Sequence, residues 1–281
     1  MNLFENKYEL QEQLNKLNFS SLGFVPTMGA LHQGHLSLLE RSIQDNNLTV
    51  LSLFINPTQF NNLQDLENYP KTFNQDITIL NRYRKNILIF MPNTYEIYGK
   101  HVRAEQFDLQ YLDKHMEGKS RPNHFQGVIT VMNILLKIIN PTKIYLGEKD
   151  FQQLQIIRLM REKLNWKTKI IGCPTIRESD GLAMSSRNVL LSPPQRREAQ
   201  LIYQILKLAK KQVMHMPVEE LKRVVTKKIN QTQYLELDYF EIIEKDFLQP
   251  VSELIKGKSY QCCIAVYAGD IRLIDNLAVS L

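Results

Sequence analysis

The stretch Phe24-Val-Pro-Thr-Met-Gly-Ala-Leu-His-Gln-Gly-His35 carries a β-rich run through a glycine turn and into a helical pattern. Strands that feed helices in this way build open α/β sheets, whose ligands gather at the carboxyl ends of the strands. Gly29 and Gly34 lift the steric limit on backbone approach, and the start of the following helix offers unpaired N–H groups and a positive dipole end to phosphate. His32 and His35, three apart, can both face that point and donate hydrogen bonds to phosphate oxygens as charge builds in a transition state. A zinc site is the competing reading, but only two histidines converge and no obvious third ligand is nearby. Two satisfied histidines in a turn is the plain structural alternative.

Working outward, the same texture fills the first 176 residues. Leu22 to Pro26, Leu48 to Ile55, Ile87 to Met91, Lys143 to Leu146 and Thr168 to Gly172 read as strands, separated by amphipathic stretches of crossover-helix length. A doubly wound parallel sheet follows. Leu48 to Ile55 has only Thr49 and Ser52 polar, as expected of a central strand covered on both faces. Phe125 to Ile139 is apolar almost all round at helical spacing and stops at Asn140-Pro141, which predicts a buried helix. Beyond Arg177 come helical runs at Pro193 to Val213 and Val218 to Asn230, then strand-like segments at Tyr239 to Ile243, Gln261 to Tyr267 and Ile271 to Ala278. This grouping predicts a smaller α+β domain.

Three further segments carry chemistry. In Phe54-Ile-Asn-Pro-Thr-Gln-Phe60, Asn56 and Gln59 follow a buried run, where amides can bind a small polar substrate without charge; a turn built on Asn-Pro explains Asn56 equally well. In Gly147-Glu-Lys-Asp-Phe-Gln-Gln153, Lys149 offers a mobile charge to phosphate and Asp150 an acceptor to a ribose hydroxyl, against the alternative of a charged helix cap. In Pro174 to Asn188, Gly181, Ser185, Ser186 and Arg187 form a loop of hydroxyls and a guanidinium suited to a triphosphate, or else an interdomain linker. Thr72 and Asp76 open another helix, as a possible cap and a dipole-side carboxylate.

Composition narrows the function classes. Of 281 residues, 43% are apolar and 23% charged, which excludes a disordered chain, and no apolar run approaches the roughly 20 residues of a membrane helix. The first ten residues carry Glu5, Lys7 and Glu9 and do not read as a secretory signal, so the cytoplasm is expected. Cys262 and Cys263 are adjacent on a strand and face opposite sides, while Cys173 stands alone; all three are expected to be reduced core thiols. A net charge of +6 permits an anionic partner, but the basic residues are dispersed, and Arg82, Arg84, Lys85 and Lys207, Lys210, Lys211 read as solvated helix faces. An RNA-binding module would cluster them beside aromatics, so a nucleotide is the expected anion and no nucleic acid is.

Taken in order, TMGALHxGH, F-x-NPTQF, YP-x-T, RP-x-HF-x-GV, GEKD-x-QQ, PT-x-RE-x-DGLAMSSRN and RLIDN at Arg272 to Asn276 resemble the motifs of the pantothenate synthetase family, in the nucleotidylyltransferase superfamily, from about residue 20 onward. The resemblance implies a Rossmann-like nucleotide- and pantoate-binding domain over 1–176 and a smaller domain over 177–281 that covers the active site. It implies ATP-dependent condensation of pantoate with β-alanine through a pantoyl adenylate, releasing AMP and pyrophosphate, by a cytoplasmic homodimer. Met28, His35, Gly147, Lys149, Asp150, Ile176, Met184, Ser185, Ser186 and Arg187 would bind ATP, with His32, His35, Lys149, Ser185 and Arg187 catalytic. Gln59 and Gln153 would hold pantoate, and Asp76 would help bind Mg²⁺, which overrides its dipole reading. The chain departs from the family pattern at Asn123, usually glycine; at Ser179, usually proline; and at Lys71, usually arginine. An adenylyltransferase that stops at a nucleotide product is the nearest rival, and the NPTQF and GEKD-x-QQ pair argues against it.

Overall fold

A computed structural model describes residues 2–279. Met1, Ser280 and Leu281, the outermost residues of the two expected domains, lie outside the described residues. Among the described residues six strands pair in parallel: β1 (Leu3–Phe4), β2 (Leu22–Thr27), β3 (Leu48–Leu53), β4 (Ile87–Phe90), β5 (Lys143–Gly147) and β6 (Lys169–Cys173), in the order β1-β4-β3-β2-β5-β6. The apolar run predicted to be central is β3, flanked by β2 and β4 and buried at all but its first residue. Its polar Thr49 and Ser52 are satisfied inside: Thr49 shares a hydrogen bond with Ser42, and the Ser52 hydroxyl accepts from the Thr27 N–H. Strand β1 has no sequence signal, because two residues show no alternation; main-chain bonds from Ile89 to Asn2 and Met91 to Phe4 hold it.

Strand β2 has β3 on one side and β5 on the other, with Gly23 opposite Lys143 and Phe24 opposite Ile144. The sheet is wound outward in both directions from this pair, so its topological switch point lies at their carboxyl ends, at Thr27 and Gly147. The buried helix is His124–Ile139, and it ends at Asn140 with a left-handed φ of 49° before Pro141. It begins at Asn123, whose φ is 65°. The departure from glycine there is accommodated because asparagine tolerates the left-handed region better than other side chains.

The chain forms two compact units. The first consists of Met1–Leu109, Arg121–Glu148 and Gln153–Pro174, and the second of Gln110–Ser120, Lys149–Gln152 and Thr175–Leu281. In the second, β7 (Leu235–Glu244), β8 (Tyr260–Ala268) and β9 (Ile271–Val279) make an antiparallel meander. Helices Leu201–Gln212 and Val218–Asn230 bury Ile205, Leu206, Leu221 and Val225 in one core with Ile242, Cys262 and Ile264. Cys263, on the opposite face of β8, packs with Met116, Phe151 and Leu248. This second face explains why Gln110–Ser120 and Lys149–Gln152, which a linear division leaves in the first domain, belong to the second unit. Arg272 fastens it by forking onto both Glu117 oxygens at 2.6 and 2.8 Å and onto Asp238. All three cysteines are free and buried, and burial pushes the Cys262 thiol up to about 12.

Candidate active site

In the first unit β2 ends in a loop with left-handed Gly29 (φ 81°) and Ala30 (φ 49°), followed by helix Gln33–Asp45. His32 caps that helix: its Nδ1 accepts from Gly34 N–H at 3.1 Å, while His35 Nδ1 accepts from His32 N–H at 3.4 Å, and the rings lie 4.0 Å apart. A ring nitrogen that accepts carries no proton, so in each neutral imidazole the proton sits on Nε2. The pair thus caps the helix that follows β2. Among the described residues no group of three His, Cys, Asp or Glu side chains could hold a metal ion.

Asn56 and Gln59 separate in role. Asn56 is 1% exposed; its Oδ1 accepts from Thr58 and from the Tyr98 hydroxyl at 2.5 Å, and its Nδ2 donates to the Gly127 carbonyl and to Gln59 Oε1 at 3.0 Å. These bonds engage both Nδ2 and Oδ1, and Asn56 serves the turn it caps. Burial pushes the Tyr98 hydroxyl up to about 12, which keeps it a donor to Asn56. Half-buried Gln59 is aimed by Asn56 on one side and by Met28, whose sulfur accepts from its Nε2 at 3.1 Å, on the other. Its carbonyl accepts from His124 Nδ1 at 2.7 Å and from Arg121. Sequence reasoning gave His124 and Arg121 no role, although RP-x-HF marks their place. Gln153 is half-buried, whereas its neighbour Gln152 is committed to structure, binding the Leu112 and His115 carbonyls and the Glu117 N–H.

Asp76, expected to help bind Mg²⁺, lies in the first turn of helix Phe73–Leu80. It is 2% exposed, and its oxygens accept from Ala30 N–H at 3.0 Å, Leu31 N–H at 2.8 Å and the Thr72 hydroxyl at 3.2 Å. Thr72 holds the cap position of helix Phe73–Leu80 without capping it, because its hydroxyl is turned to Asp76. A carboxylate sealed from solvent and engaged on both oxygens does not fit a cation that arrives with a nucleotide.

The second unit holds the other expected group. Lys149 pairs with Asp150 at 3.3 Å, and its carbonyl accepts from Asn276 Nδ2 at 2.8 Å. From Thr175 the chain turns back on itself, with Arg177 bridged to Ala183 and Met184 N–H bound to the Ile176 carbonyl. Arg177 forks onto buried Asp275 at 2.6 and 2.9 Å, donates to the Gly181 carbonyl and lies 3.9 Å over the Tyr203 ring. The turn leads into Ser185, which caps a short 3-10 helix by accepting from Arg187 N–H, and Ser186 is buried. Met28, His32, His35, Gln59, Gly147 and Gln153 therefore belong to the first unit, and Lys149, Asp150, Ile176, Met184, Ser185, Ser186 and Arg187 to the second. Asp275 and Asn276 went unassigned in the sequence, although RLIDN signalled them.

A doubly wound parallel sheet with glycine turns and polar residues at its switch point defines an α/β enzyme of the nucleotide-binding type. The family model "Pantoate-beta-alanine ligase" matches residues 2–278. The chain is 43% identical to the pantothenate synthetase of Christiangramia forsetii over the full length of both. It matches the pantothenate synthetase structure from Thermus thermophilus with a TM-score of 0.90, 36% identity and full coverage of both chains. It also matches pantoate-beta-alanine ligase from Francisella tularensis, solved with beta-gamma ATP and β-alanine, with a TM-score of 0.82 and 35% identity over 99% of this chain and 97% of that one. The chain belongs to the pantoate-beta-alanine ligase family and is an amide-forming ligase. Among the described residues no helix is long and apolar enough to cross a membrane.

Proposed function

We propose that this ligase joins pantoate to β-alanine in two half-reactions. The pantoate carboxylate attacks the α-phosphorus of ATP and pyrophosphate leaves; the β-alanine nitrogen then attacks the pantoyl-adenylate carbonyl, the bond to AMP breaks, and the amine proton passes to solvent. The observation that carries this reading is the His32 and His35 pair at the start of the helix after β2, whose Nδ1 atoms both accept from backbone N–H groups and whose rings lie 4.0 Å apart. Preorganised donors stabilise charge without reorganising as it develops. Lys149, Ser185, Ser186 and Arg187 supply the remaining grip on the phosphates, with Met28, Gly147, Asp150, Ile176 and Met184 around the rest of ATP.

Gln59 and Gln153 hold pantoate through neutral amides, which orient the carboxylate without drawing off the charge it attacks with. Mg²⁺ supplied with ATP would offset the charge on the leaving pyrophosphate. The enzyme acts in the cytoplasm as a homodimer, a state that light scattering measures directly.

Labelled pyrophosphate should exchange into ATP when pantoate and Mg²⁺ are present and β-alanine is absent. Adding β-alanine should then release AMP with pantothenate. Exchange that requires the amine, or ADP in place of AMP, refutes the adenylate order.

A further inference from the structure

The loop that delivers His32 is bent by two consecutive left-handed residues, Gly29 at 81° and Ala30 at 49°. A left-handed alanine costs about 1–2 kcal/mol, so something outside the loop must hold it. Its next two N–H groups, of Ala30 and Leu31, point inward and need acceptors. Asp76 supplies one oxygen to each, and the Thr72 hydroxyl fixes Asp76 by donating to Oδ1. The approach is close: a Cβ on Gly29 would stand 3.1 Å from Asp76 Oδ2.

We infer that Asp76, fixed by Thr72, is a positioning residue that clamps the Gly29–Leu31 backbone and so sets the direction of the His32 and His35 donors, and is not a Mg²⁺ ligand. The separation of Tyr69-Pro-Lys-Thr72 from Asp76 then has a physical reason: one turn of helix brings the hydroxyl at position 72 onto the carboxylate at 76. The link to the histidines rests on the function proposed above, but the clamp itself does not.

Two measurements test the pair. In protein free of metal and nucleotide, Asp76→Asn places an NH₂ group against a backbone N–H, so the Ala30 and Leu31 amides should exchange with solvent at least about tenfold faster, while core amides such as Val50 keep wild-type protection. In pyrophosphate exchange the same variant should lose on the order of 10²-fold in kcat, as misdirected catalytic groups do, with its half-activating Mg²⁺ concentration within about twofold of wild type. A tenfold rise in that concentration, or activity restored by added Mg²⁺, would make Asp76 a metal ligand and overturn the inference. Unchanged loop amides, or core amides that lose protection together with the loop, would overturn it as well. If Asp76→Asn does not fold, Thr72→Val removes only the fixing hydroxyl and should show the same pattern at several-fold size; its loop amides at wild-type rates would count against the clamp. A wild-type protein with no exchange activity would sink the proposed function, and the amide measurement would still decide the clamp.

Discussion

The two loops assigned to the phosphates are both bent through left-handed glycines and both fastened by a charged side chain, but the charges have opposite sign and different partners. In Thr27–His35 the fastener is Asp76, whose partners among the described residues are N–H and O–H dipoles. In Thr175–Asn188 it is Arg177, a cation neutralised by the full charge of Asp275, whose side chain is 1% exposed. Dipoles around a buried anion can be replaced by water if the loop opens. A buried ion pair cannot lose one member without leaving a bare charge in a low dielectric. The first loop is thus fastened by dipoles that water can replace, and the second by a charge pair that it cannot.

The largest effect should come from breaking the ion pair. Arg177→Ala strands Asp275 and should cost about 3–5 kcal/mol, read as a fall in unfolding midpoint. The effect should depend on pH with a definite sign. Burial raises the Asp275 carboxyl above its ordinary 3.8, and Arg177 opposes that rise. A carboxyl raised in the folded state favours folding when protonated, and that advantage is lost as pH rises through the folded value. Without Arg177 the value rises further, so the deficit relative to wild type should be largest near neutrality and narrow on mild acidification. A deficit constant with pH would mean that Asp275 does not carry the charge in question.

A smaller effect sharpens the comparison at the bend itself. Gly181 has φ 97°, and a Cβ there would lie 2.3 Å from Tyr203 Cδ1, against 3.1 Å from Asp76 Oδ2 at Gly29. Gly181→Ala should therefore cost about 1–3 kcal/mol from strain and overpacking together. Combining it with Tyr203→Ala should recover the overpacking part and leave the strain. Full recovery in denaturant melts would show that φ was never limiting.

The smallest effect belongs to a left-handed residue that no charge fastens. Asn123→Gly should change stability by less than about 1 kcal/mol, because relief at φ 65° is offset by the freer unfolded chain, whereas Asn123→Ala should cost about that much. An alanine variant as stable as wild type in thermal melts would remove conformation as the reason asparagine is accepted there.

Local reading of the chain was enough to place the parallel sheet, the central β3, the buried helix and the turn that carries His32 and His35. These are carried by local periodicity and turn chemistry, which neighbouring residues encode. The three-dimensional fold decided the rest, because it depends on partners far along the chain. Asp76 and Ala30 are 46 positions apart, Arg177 and Asp275 98, and Arg272 and Glu117 155. No periodicity links such pairs. A linear reading could therefore see that Asp76, Asn56 and Asn276 are polar, but not that Asp76 binds the Ala30 and Leu31 N–H groups, Asn56 the Tyr98 hydroxyl and the Gly127 carbonyl, and Asn276 the Lys149 carbonyl. That a buried polar group must find a partner was predictable; which partner it found is a property of packing alone.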